Sequence, residues 1–172
     1  MRLFVAVIGL LLATPVALTA ATSSVTQGSQ PIYSAFSLIK SGKITTRRCG
    51  AYDVTTGTYT GRAASGDPRL AGAVTYTSRI ALSRETDTGV ATGTLTVRDP
   101  RSRVRMRARI TGVMTQRSVV NGILAGNLML PSALILANLT MVFDDELGFA
   151  AVRLGVESGS NSAVAYPPLP KC

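Results

Sequence analysis

Apolar and polar residues alternate along most of this chain, and the period is two. From Ala51 to Val156, short runs of Thr, Val, Ala and Leu are separated by turn residues. Side chains that repeat at every second position share one face of a β-strand. In Leu70–Arg84, Val74, Tyr76, Ile80 and Leu82 share a face. In Val90–Arg98, Leu95 and Val97 face away from Thr94, Thr96 and Arg98. In Phe149–Val156, Val152, Leu154 and Val156 oppose Arg153. Tyr52–Ser65, Arg101 to about Met114, Val119–Met129 and Ala133–Phe143 read as further strands. Gly66-Asp67-Pro68, Glu85–Gly89, Asp99-Pro100 and Asp144–Gly148 are the turns between them. Ile32–Lys40 fits either one or two helical turns or a first strand.

Short connections make antiparallel neighbours, and such a meander removes its edges by closing. The expected fold is all-β: a single antiparallel up-and-down β-barrel of about eight strands, with a β-sandwich as the alternative. Gly72, Gly93, Gly112 and Gly126 fall inside or near strand runs, where bends or close backbone approach are expected. The stretch Ile123–Phe143 carries no charge and is long enough for a membrane helix. Gly126, Asn127, Pro131, Ser132, Asn138 and Thr140 interrupt it, so it reads as two buried strands joined near Pro131.

The ends of the chain differ in character. Arg2, the apolar run Leu3–Leu12 and the small residues before Thr22 form a secretory signal-peptide pattern over residues 1–21. The expected location is therefore secreted, or extracytoplasmic, with no transmembrane helix after signal removal. Residues 22–43 read as a flexible N-terminal segment, 44–157 as the barrel domain and 158–172 as a Pro-rich C-terminal tail.

Composition narrows the chemistry. The 172 residues include 18 Lys and Arg against 9 Asp and Glu, a net charge of +9, with no His and no Trp. Without imidazole, Ser-His-Asp and Cys-His hydrolases and His-based zinc sites are excluded. The two cysteines, Cys49 and Cys172, are expected to form a disulfide in an oxidising compartment, with free thiols or an intermolecular bridge as alternatives. No metal or cofactor site is expected. Asp144, Asp145 and Glu146 lack the spaced oxygen ligands of a calcium loop and read as a turn. Glu85 and Asp87 fall in one hairpin. Asn138-Leu139-Thr140 matches the glycosylation pattern but sits in an apolar strand.

One segment carries a functional hint. Arg101, Arg103, Arg105, Arg107 and Arg109 occupy alternate positions, so a strand there presents a guanidinium face. Alternate side chains stand about 6.5 Å apart, a spacing that suits a chain of phosphates, sulfates or uronates. The expected partner of that face is an anionic cell-envelope polymer. The competing reading is a solvated face that blocks strand-to-strand aggregation. Intracellular nucleic acid is not expected after export, and no aromatic interleaves the arginines to stack bases.

The run Gly61–Gly72 (GRAASGDPRLAG), followed by Gly93–Asp99 (GTLTVRD), resembles uncharacterised bacterial secreted proteins in the style of the allene oxide cyclase and dirigent-like β-barrels. The resemblance covers about Gly50 to Val156. It implies an eight-stranded antiparallel barrel with a small apolar interior, and a function of holding small hydrophobic molecules there. It transfers no catalytic residue. The leading expectation is a non-enzymatic barrel binding a small apolar ligand among Tyr76, Ile80, Leu95, Val97, Val104 and Met106. The alternatives are the anionic-polymer reading of the arginine face and a cyclase or isomerase activity, which rests on fold analogy alone.

Overall fold

A computed structural model describes residues 33–129, 132–144, 148–157, 169 and 172. The signal-peptide pattern, most of the Pro-rich tail, Pro131 and the acidic residues Asp145 and Glu146 lie outside the described residues. Nine strands are present among the described residues: β1 (Tyr33–Lys40), β2 (Thr45–Cys49), β3 (Tyr52–Ser65), β4 (Gly72–Ser83), β5 (Gly89–Arg98), β6 (Val104–Thr115), β7 (Val119–Met129), β8 (Ser132–Asp144) and β9 (Gly148–Glu157).

The fold is all-β, and β1 together with β3 to β9 closes an eight-stranded antiparallel barrel. Closure comes from β1, which pairs with β9 on one side and β3 on the other. The strand β2 continues the line of β1 along β3. The Ser41 N–H donates to the Thr58 carbonyl, and Gly42-Lys43-Ile44 form a short excursion before pairing resumes at Thr45–Thr56. The barrel thus begins at Tyr33, inside the segment read as flexible.

Period-two patterning places the core. Inward positions from all eight barrel strands form one cluster that includes Phe36, Tyr59, Tyr76, Leu95, Met106, Ile110, Leu124, Met141 and Leu154. Tyr59 and Tyr76 stack with ring centroids 5.8 Å apart, and Tyr59, Phe143 and Phe149 continue the series edge to face. Leu70, from the β3–β4 turn, packs fully buried against the same cluster. A second small cluster lies at Cys49, Val54 and Ala81, covered by Leu169. There Cys49 and Cys172 form a disulfide across 123 residues.

The uncharged stretch Ile123–Phe143 forms the β7–β8 hairpin, as two strands. Only one face of it is buried. Ile135, Ala137, Leu139, Met141 and Phe143 point inward, whereas Leu134 and Leu136 point outward. The two strands are thus buried on one face only, not on both as the uncharged run suggests. In a closed barrel every second residue faces outward whatever its polarity.

Candidate functional site

The arginine segment divides at Val104. Val104–Thr115 is strand, so Arg105, Arg107 and Arg109 stand on β6, while Arg101 and Arg103 belong to the β5–β6 hairpin. The expected strand of five arginines is therefore shorter by two. Asp99 is the cause. Its carboxylate accepts from the backbone N–H groups of Arg101 and Arg103, each at 2.9 Å, which closes the turn. Ser102 takes the left-handed conformation, φ 61°, to complete it. The same carboxylate accepts from Arg103 Nε at 2.8 Å and pairs with Arg105 at 3.0 Å. Burial of Asp99 opposes its ionisation, but the bonds from Arg103 and Arg101 and the nearby charge outweigh this. The carboxyl stays below its ordinary range.

Arg107 and Arg109 are different. Both are exposed, and neither bonds or pairs with a described residue. Strand register sets their neighbours. Thr96, Arg107, Asn127 and Leu134 form one row across β5, β6, β7 and β8. Thr94, Arg109, Ala125 and Leu136 form the next. On the other side the rows extend into threonines: Thr96 faces Thr75 and Thr60, and Thr94 faces Thr77 and Thr58. The outer wall in these rows is thus a field of hydroxyls on β3 to β5, bordered on β6 by Arg107 and Arg109, which have no partner among the described residues. Guanidinium groups bind oxyanions through paired N–H donors.

Of the residues expected to line a ligand space, Tyr76, Ile80, Leu95, Val97 and Met106 are fully buried and belong to the main core. Val104 is half-buried at the start of β6, opposite Arg98 where the register shifts, and lies outside that core cluster. The buried hydroxyls of Tyr59, Tyr76 and Ser78 have no partner in hydrogen-bond geometry among the described residues. Burial raises the Tyr59 and Tyr76 phenols above their ordinary range, and the nearby Ser78 hydroxyl offsets a part.

Other candidates resolve simply. Asp67, like Asp99, organises a turn: it accepts from the Arg69 guanidinium and the Arg69 N–H, and the Arg69 bonds hold its carboxyl low. Asp87 pairs with Arg117 on the surface. Among the described residues no group of three or more acids or cysteines is placed to hold a metal. Leu134 and Leu136 escaped the sequence reading. In the run ALILA both faces are apolar, so alternation carries no sidedness there.

No protein-family model, curated protein or solved structure matches this chain.

Proposed function

We propose that this protein is an extracytoplasmic β-barrel that binds an anionic component of the cell envelope through the outer face of β6. The observation that carries this reading is the pair Arg107 and Arg109, exposed, on one face and without a carboxylate partner among the described residues. A side chain kept only for solubility gains nothing from such alignment, whereas a row of oxyanions does. The net charge of +9 adds a long-range attraction for anions. The Cys49–Cys172 disulfide is compatible with an oxidising compartment.

The interior-ligand reading is weaker on the same grounds that support the fold. The inward positions are filled by side chains packed on each other, as eight-stranded barrels allow. A cyclase or isomerase activity would draw on the hydroxyls of Tyr59, Tyr76 and Ser78, which are buried.

The test is a salt gradient on an anionic polysaccharide column. The wild-type protein elutes late, and Arg107→Ser/Arg109→Ser elutes much earlier, since contacts between exposed charges are screened by salt. Equal elution of the two would make β6 a solvated face and return attention to the interior.

A further inference from the structure

The two rows that carry Arg107 and Arg109 end on leucines. Leu134 is 86 % and Leu136 53 % exposed, and Met129, on the other strand of the same hairpin, is 38 % exposed. Neighbouring strands lie about 4.8 Å apart, so each leucine backbone sits about 10 Å from the arginine backbone in its row. The partner β9 pairs with β8 only from Asn138 onward, which leaves Ser132–Ala137 without a strand on that side among the described residues. That six-residue stretch carries no charge. Solubility and strand propensity explain the threonines of β3 to β5. They do not explain two outward leucines in the rows of two cations that have no partner among the described residues.

We propose that this combined face docks on the surface of an anionic phospholipid bilayer. The inference rests on the reading of β6 as an anion-binding face and names its partner. Leu134 and Leu136 enter the boundary between headgroups and acyl chains, and Arg107 and Arg109 meet the lipid phosphates. Binding to such a surface scales with the apolar area buried plus the attraction to anionic lipid, and this wall supplies both. A second copy of the chain fits less well, because joining two such edges brings two sets of free arginines together without a counter-charge.

Co-sedimentation with vesicles tests this, using phosphatidylcholine alone or with about a third phosphatidylglycerol. The wild-type protein is expected to bind only the anionic vesicles. Arg107→Ser/Arg109→Ser should lose about fivefold in vesicle affinity per arginine. Leu134→Ser/Leu136→Ser should lose at least about tenfold, yet elute from the polysaccharide column like wild type. Leu134→Ala/Leu136→Ala, with a smaller loss in the same direction, guards against a folding defect. The proposal is overturned if the leucine variants bind vesicles as wild type does, or if the wild type is retained by polysaccharide and ignores vesicles. Either result leaves the reading of β6 standing. Leucine variants that change sedimentation from dimer to monomer while vesicle binding is unchanged would assign the edge to a second copy instead. Unchanged vesicle binding and unchanged elution of the arginine variant would remove both readings together.

Discussion

The ring of Tyr76 lies on the backbone of Gly93, so closely that a Cβ at position 93 would overlap the ring edge and the Thr77 carbonyl. The two residues are diagonal neighbours on β4 and β5, since Ser78 faces Gly93 directly and Tyr76 faces Leu95. Tyr59 covers Gly57 in a similar way, at 3.2 Å from a Cβ there. Each glycine gives a large aromatic room to lie flat inside a narrow barrel. Gly93→Ala is therefore expected to destabilise the protein by about 2 kcal/mol, within the usual range for overpacking a core. Urea unfolding of Gly93→Ala, Tyr76→Leu and the double variant checks it. The double variant should lose less than the sum of the single losses, because the smaller side chain no longer rests on position 93.

The phenol of Tyr76 is a cost to the fold. It is fully buried, and no described group satisfies its hydroxyl. Tyr76→Phe keeps the ring over Gly93 and removes the unpaired group. It should raise stability by about 1 kcal/mol. Burial raises the pKa of both Tyr76 and Tyr59, so the folded state holds protons that the unfolded chain gives up. Stability should then fall as pH rises past the ordinary value of 10.0. Phenolate absorbance during an alkaline titration should show these two tyrosines ionising only as the barrel unfolds.

The β6–β7 hairpin is built on unfavourable residues. Gln116 and Arg117 both have positive φ, 52° and 57°, and the Ser118 N–H returns to the Thr115 carbonyl. Two-residue hairpins with both central residues left-handed favour Asn-Gly. Gln116→Asn/Arg117→Gly should raise stability by about 1 kcal/mol, read as a higher urea midpoint with an unchanged slope. Loss of the Arg117–Asp87 pair subtracts little, as both side chains are more than half exposed.

That turn also shows where the sequence stops being legible. Gly66-Asp67-Pro68 and Asp99-Pro100 announce their turns through residues with a local mechanism, and the turns occur there. Gln116-Arg117 announces nothing, yet the chain turns because the flanking runs must pair. Most strand faces were readable from alternation, as at Leu95 and Val97 against Thr94 and Thr96. The outward leucines of β8 were not, because their inward neighbours Ile135 and Ala137 are apolar too. For the arginines, spacing gave the shared face of Arg105, Arg107 and Arg109. It could not foresee that Asp99 would draw Arg103 into the turn and tie up Arg105. Which arginines are free depends on hairpin geometry, and that is a tertiary property.

Asp99 therefore couples stability to binding. Its carboxyl lies below the ordinary value of 3.8, as does that of Asp67. A depressed carboxylate contributes stability above the unfolded value, and that contribution is lost as pH falls through the folded one. With no histidine in the chain, the melting temperature should be nearly level from about pH 5 to 8 and drop below about pH 4. Asp99→Asn should lower the melting temperature at neutral pH and shrink the acid-dependent drop. It also releases Arg103 and Arg105, so retention on an anionic column should rise. A variant that is less stable and better retained would separate the structural arginines from the binding ones.

The disulfide should matter for stability far more than for barrel architecture. Cys49 lies on β2, outside the ring of strands that closes the barrel, and Leu169 packs on the small cluster of Cys49, Val54 and Ala81. The main core does not include either cysteine. The bridge nevertheless joins residues 123 apart, and closing so long a loop limits the unfolded chain by about 4–5 kcal/mol in the chain-entropy model. Cys49→Ser/Cys172→Ser should thus keep the β-sheet circular dichroism spectrum of the native protein while its urea midpoint falls sharply. Because Arg107 and Arg109 stand on β6, remote from β2 in the strand order, the salt elution they govern on an anionic column should match wild type under conditions where the variant remains folded. A variant that folds yet loses retention would tie the binding face to the disulfide end of the barrel, and β6 would no longer account for binding by itself.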